Sequence, residues 1–121
     1  MIPAYQGKDR RKDRRVTLNV SVDYISRDGS KEGLIESTSM NISINGMCVE
    51  VKEELPIGTE VVLSFNLPNE PKRVWVMGKV RWSMRSENNR YIAGVLFEAI
   101  DMESKEMINR FINNSSTTYT C

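Results

Sequence analysis

Histidine is absent from all 121 residues, and cysteine occurs only at Cys48 and Cys121. The first absence removes His-dependent triads and metal-hydrolase motifs, and with no CxxC pair there is no zinc set of the usual Cys/His type. One cysteine stands in a probable strand and the other in a polar terminal tract, so free thiols and a reducing compartment are expected rather than a disulfide. Long apolar runs are also missing: none approaches the roughly 20 residues of a membrane helix. Met1 to Gly7 lacks the charged-then-apolar order of a secretory signal. No membrane insertion and a cytoplasmic setting are the resulting expectations. No paired carboxylates stand in an acid/base context, so an enzyme is not expected either.

A chain of this length suits one domain with one modest core. Its 40% hydrophobic and 27% charged content is ordinary for a soluble globular protein. The formal charge of +1 conceals an asymmetry, because residues 8–15 hold six basic and two acidic side chains and leave 11 basic and 14 acidic ones elsewhere. An anion is drawn to one end of such a chain. The body, with its net negative charge, shows no strand that interleaves exposed aromatics with a basic face. A small β-barrel binding single-stranded nucleic acid through a basic arm is therefore the weaker alternative, and nucleic acid is not the expected ligand.

Residues 1–15 have almost no apolar periodicity and read as an arm with little structure of its own. Val16, Leu18, Val20, Val22 and Tyr24 then alternate with polar residues, the period of two of a half-buried strand. A turn at Arg27–Ser30 leads to a second strand over Gly33–Met40, which Asn41–Gly46 interrupts before Met47, Val49 and Val51 resume the alternation. Val61, Leu63, Phe65 and Leu67 mark another strand, ended by Pro68 and Pro71. Arg73–Trp82 places Val74, Val76, Val80 and Trp82 on one face, with Gly78 where a closing barrel would bend. Tyr91–Phe97 is the last strand. Trp75, Trp82 and Tyr91, as aromatics on alternating strands, are expected in the core, although Trp82 and Tyr91 would also serve as a stacking platform. Asp101 reads as a helix N-cap, with Met107, Ile108, Phe111 and Ile112 on one helical face. Five or six short strands and one amphipathic helix imply a mainly all-β fold, a small antiparallel barrel closed at one end by the helix. The expected division is an arm over 1–15, the barrel and helix over 16–114, and a frayed tail over 115–121.

Two elements carry chemistry. In the run Arg10-Arg11-Lys12-Asp13-Arg14-Arg15, the planar guanidinium forks engage phosphate oxygens bidentately, bond guanine O6 and N7, or stack on a ring. Arg11 and Arg15, in RxxxR spacing, can approach one ligand from two sides, with Arg10 and Arg14 as further donors. In Asn41-x-Ser43-x-x-Gly46, short polar side chains hold a turn and can meet guanine N–H groups or phosphate, while Gly46 permits a positive φ or a close backbone approach. Taken singly, the run is a solvated tail and the turn an ordinary connection. At this spacing and beside β-like sequence they point to a nucleotide-binding module.

These two motifs, with the strands Gly78-Lys79-Val80-Arg81-Trp82 and Tyr91-Ile92-Ala93-Gly94-Val95-Leu96-Phe97, make the sequence resemble the PilZ family over nearly its whole length. That family binds cyclic di-GMP through RxxxR and (D/N)xSxxG. The resemblance implies a six-stranded antiparallel β-barrel with a C-terminal helix, and an arm that wraps over a site on the barrel surface. It implies guanine and phosphate contacts from Arg11 and Arg15, and guanine-edge and turn roles for Asn41, Ser43 and Gly46. Arg10 would be an auxiliary contact that favours an intercalated ligand dimer, and Arg14 and Trp82 are further auxiliary candidates. Asn41 stands where aspartate is more frequent and lacks its carboxylate; a second register, Arg10 to Arg14, stays open. The implied protein is a receptor with no cofactor. It would order its arm on binding and signal to an unidentified downstream protein in motility, pilus or exopolysaccharide control.

Overall fold

The computed structural model describes residues 14–27 and 32–115. Arg10 and Arg11, and the Asp28–Ser30 part of the expected turn, lie outside the described residues. The described elements run β1 (Val16–Thr17), β2 (Ser21–Ser26), β3 (Glu32–Ile42), β4 (Gly46–Val51), β5 (Glu60–Asn66), β6 (Arg73–Arg85), β7 (Tyr91–Ile100) and α1 (Met102–Asn113). Every pairing among them is antiparallel, in the order β1-β3-β2-β5-β6-β7-β4, and a β3–β4 pairing closes six strands into a barrel with short β1 added along β3. The expected barrel and terminal helix are what the chain forms. Closure leaves the six strands without a long free edge.

Alternation explains the core. Val22 and Tyr24 of β2, Leu63 and Phe65 of β5, Val74, Val76 and Val80 of β6, and Ala93 and Val95 of β7 all point inward and are buried. Met107, Ile108 and Ile112 of α1 join the same core, with Phe111 packed at its margin. Asp101 caps the helix by accepting from the Ser104 amide at 2.7 Å. Arg110 makes a two-pronged contact with Glu70 at 2.9 and 3.1 Å, tying α1 to the β5–β6 connection. Those hydrogen bonds hold the Glu70 carboxyl below its ordinary range. Closure also needs Gly78: a Cβ there would fall 2.6 Å from the Leu96 carbonyl oxygen, at a register shift between β6 and β7.

The structure departs from the sequence expectations in five places. The run from Val16 to Tyr24 is two strands, because the chain bends at Leu18–Val20 around buried Ser39. The Ser39 hydroxyl donates to Leu18 O at 2.8 Å and accepts from the Val20 amide at 3.0 Å. Asn41 belongs to β3 and not to a turn, since its backbone pairs with Thr17 on one side and Cys48 on the other. A register shift between Val80 and Trp82 turns the indole to the outer face, so Trp82 is not core. Trp75 is 55% exposed, for its neighbours Val74 and Val76 take the inward positions. Finally, Cys48 is disulfide-bonded, where a free thiol was expected; its partner lies outside the described residues. The polar character of the tail argued against that bond, but alternation directs Cys48 away from the core side chains Met47 and Val49.

Candidate functional site

The Asn-x-Ser-x-x-Gly segment forms the tight connection from β3 to β4. Ile42 enters the core, and the Ser43 amide closes the turn on Gly46 O at 2.8 Å. The Ser43 hydroxyl accepts from the Asn45 amide at 3.3 Å, and the Phe97 amide donates to Asn45 O at 2.8 Å, which stitches the turn to β7. Gly46 has no positive φ; its need is space, since a Cβ would sit 2.5 Å from the Val95 carbonyl oxygen. Of the two reasons for a glycine here, close backbone approach is the one that applies.

Arg15 immediately precedes β1, which pairs with the end of β3, and its Nη1 donates to Asn41 Oδ1 at 3.0 Å. Asn41 is fully buried, and its Nδ2 has no hydrogen-bond partner in the described structure. An unmade buried donor costs about 1–3 kcal/mol, so the amide is retained here at some cost to the fold. Arg14 goes elsewhere: its guanidinium donates to Ile112 O at 3.0 Å and also to Ser115 O, both at the C-terminal end of α1. Carbonyls at a helix C-terminus favour such a cation. Of two adjacent arginines, one anchors to the helix and the other turns to the motif.

Arg15 and the Ser43–Gly46 turn form one bank of a groove of about 360 Å³. Gly94–Leu96 of β7 make its floor, and Arg81 and Trp82 of β6 make the far bank. Trp82 lies over Gly94 so closely that a Cβ on Gly94 would be 2.2 Å from the indole Nε1. Such a groove offers an aromatic face, a backbone floor without a side chain at its centre, a hydroxyl and two guanidinium groups. A planar, polar-edged ring attached to phosphate matches that set. Among the described residues no cluster of three or more metal-ligating side chains exists.

Of the residues singled out from sequence, Arg15, Ser43, Gly46 and Trp82 line the groove together. Asn41 stands behind Arg15 and outside the groove lining, Arg14 is committed to α1, and Arg10 and Arg11 lie outside the described residues. Arg81, Asn45 and Gly94 were not anticipated as site residues. The signal for Gly94 was a glycine inside an otherwise apolar strand, which often marks a close approach. Arg81 had no such signal, because it owes its place to the β6 register shift.

A closed antiparallel barrel with a cationic, aromatic-walled groove beside a polar turn defines a small ligand-binding module. A family model for the PilZ domain matches residues 9–114, and the chain belongs to that family. PilZ domains are binding effectors rather than enzymes. Among solved structures, the chain is similar to the Bacillus subtilis inhibitor of motility MotI/DgrA, with a TM-score of 0.75 and 17% identity over 93% of this chain and 55% of that one. It is also similar to the PilZ domain with c-di-GMP of YcgR from Escherichia coli, with a TM-score of 0.63 and 11% identity over 87% and 90% of the two chains. The K. pneumonia MrkH–c-di-GMP complex gives a TM-score of 0.66 and 16% identity over 88% and 52%. This chain thus spans about half the length of the MotI and MrkH chains. No curated protein matches it. No helix among the described residues is long and apolar enough to cross a membrane.

Proposed function

We propose that the chain is a cyclic di-GMP receptor whose ligand rests in the groove between the Ser43–Gly46 turn and Trp82. The observation that carries this reading is the convergence of Arg15, held by Asn41, with the motif turn and an outward-facing indole. A guanine laid on Trp82 gains stacking energy of about 1–3 kcal/mol. The Ser43 turn meets its polar edge, and the Arg15 fork takes N7 and O6 or a phosphate oxygen. Asn41 acts through Arg15. The c-di-GMP named for YcgR and MrkH, which share the fold, supports the same ligand class.

In this reading residues 1–15 are the arm, 16–114 the binding body and 115–121 a tail. Arg11 closes on the ligand as the first arginine of the motif, and Arg10 supports a second nucleotide in an intercalated dimer. Binding orders the arm, and the new surface signals to a downstream protein in motility, pilus or exopolysaccharide control in the cytoplasm. No cofactor takes part. Titration calorimetry tests this: saturable heat with cyclic di-GMP is expected, at one or two ligands per chain. No heat with ligand on the order of tens of micromolar, or steeply salt-dependent binding of oligonucleotides instead, would overturn it.

A further inference from the structure

We infer that Arg81 is a ligand-binding residue of this groove, taking a phosphate of the nucleotide whose base lies on Trp82. The inference rests on the receptor reading above and adds to it a cation outside both sequence motifs. Val80 pairs with Val95 and Trp82 with Gly94, so Arg81 is the extra residue of a bulge between them. A bulge re-aims the side chains it contains, and here it puts Arg81 and Trp82 side by side on the groove wall facing Arg15. Were Arg81 paired in regular register, Trp82 would follow Val80 into the core, and the wall would lose its aromatic face.

Arg81 differs from the other cations of β6. Arg73 is paired with Asp23 at 2.6 Å, and Lys79 lies 3.8 Å from Glu98. Arg85 donates to Asn89 at 2.6 Å. Arg81 alone of these has neither an ion pair nor a side-chain hydrogen bond among the described residues, and it is exposed. A guanidinium in that position keeps its five donors available for an anion. Across the groove, Arg15 gives Nη1 to Asn41, which fixes the position of its guanidinium on the opposite bank. A base resting on the indole between two arginines has its sugar-phosphate edges within the span of a groove of about 360 Å³. A cyclic dinucleotide, with two phosphates, suits two guanidinium groups on facing banks better than a mononucleotide does.

The test compares the unaltered chain with Arg81→Ala and Arg81→Lys, using calorimetry with cyclic di-GMP and with GMP. Because Arg81 is exposed, thermal unfolding of both variants should match that of the unaltered protein. Arg81→Ala should bind cyclic di-GMP about tenfold or more weakly, the factor expected for one charge-assisted hydrogen bond. Arg81→Lys, which keeps the charge and loses the planar fork, should fall between them. The loss for GMP should be smaller. An Arg81→Ala affinity within twofold of the unaltered protein overturns this inference and leaves the receptor reading standing. No binding by the unaltered protein overturns both.

Discussion

Gly94→Ala probes the wall of the groove most sharply. The new methyl group would lie 2.2–2.3 Å from two atoms of the Trp82 indole, a separation that no real contact tolerates. The strand cannot yield, because Gly94 is paired with Cys48 on one side and Trp82 on the other. The indole must therefore swing away. Re-exposing on the order of 100 Å² of ring at about 25 cal/mol per Å² costs about 2.5 kcal/mol. The smaller chain entropy of alanine in the unfolded state returns about 0.4–1 kcal/mol, leaving a net loss near 2 kcal/mol. For a domain of this size that lowers the melting temperature by about 8 °C. The assay is Trp82 emission in a Trp75→Phe background, since these are the only two tryptophans and Trp75 is 55% exposed. Gly94→Ala should shift that emission to the red, keep the far-ultraviolet β signature and weaken cyclic di-GMP binding through the lost stacking face. Unchanged emission with an unchanged melting temperature would refute the placement of Trp82 over Gly94.

Three further outcomes are expected. Asn41→Ala should weaken cyclic di-GMP binding about tenfold, because Arg15 loses its anchor and must be ordered by the ligand at a cost of about 1–2 kcal/mol; equal affinity in calorimetry would show that Asn41 does not position Arg15. Ser39→Ala should destabilise the barrel by about 1–3 kcal/mol in urea denaturation, since it strands Leu18 O and the Val20 amide at the bend between β1 and β2. Stability should also respond to pH at both ends. Glu70 titrates lower in the folded chain because Arg110 bonds it, so its contribution is present above the ordinary glutamate pKa and is lost as pH falls through the folded value. Tyr24 titrates higher, chiefly through burial and then through Glu53, so its contribution is lost as pH rises above about 10. Glu70→Gln should flatten the acid limb of a melting-temperature profile, and an unchanged limb would argue against the Glu70–Arg110 pair as its source.

Much of the barrel was legible because alternation survives wherever one face is buried. Met47, Val49 and Val51, then Val61, Leu63 and Phe65, sit in the core as their spacing implies. The misreadings fall where a local bond or a bulge overrides the period. Ser39 draws the chain into a bend that no pattern of apolar residues records, and the extra residue at Arg81 inverts the faces beyond it. For the site, Arg15, Ser43 and Gly46 of the two motifs line one groove. Asn41 looked like a turn residue because asparagine favours turns. Its burial in β3, with Arg15 as its partner, depends on pairing with two strands distant in sequence. Arg14 and Arg15 look equivalent in the run, and only the packed helix end separates them.

The measurement that bears most directly on the central claim is a paired calorimetric titration of cyclic di-GMP into the unaltered protein and into Arg15→Ala, with thermal unfolding run on both. The expected result is saturable binding by the first and loss of binding by the second, while both remain folded. Binding by Arg15→Ala with undiminished affinity, or no binding by either folded protein, would contradict the assignment of this groove as the ligand site.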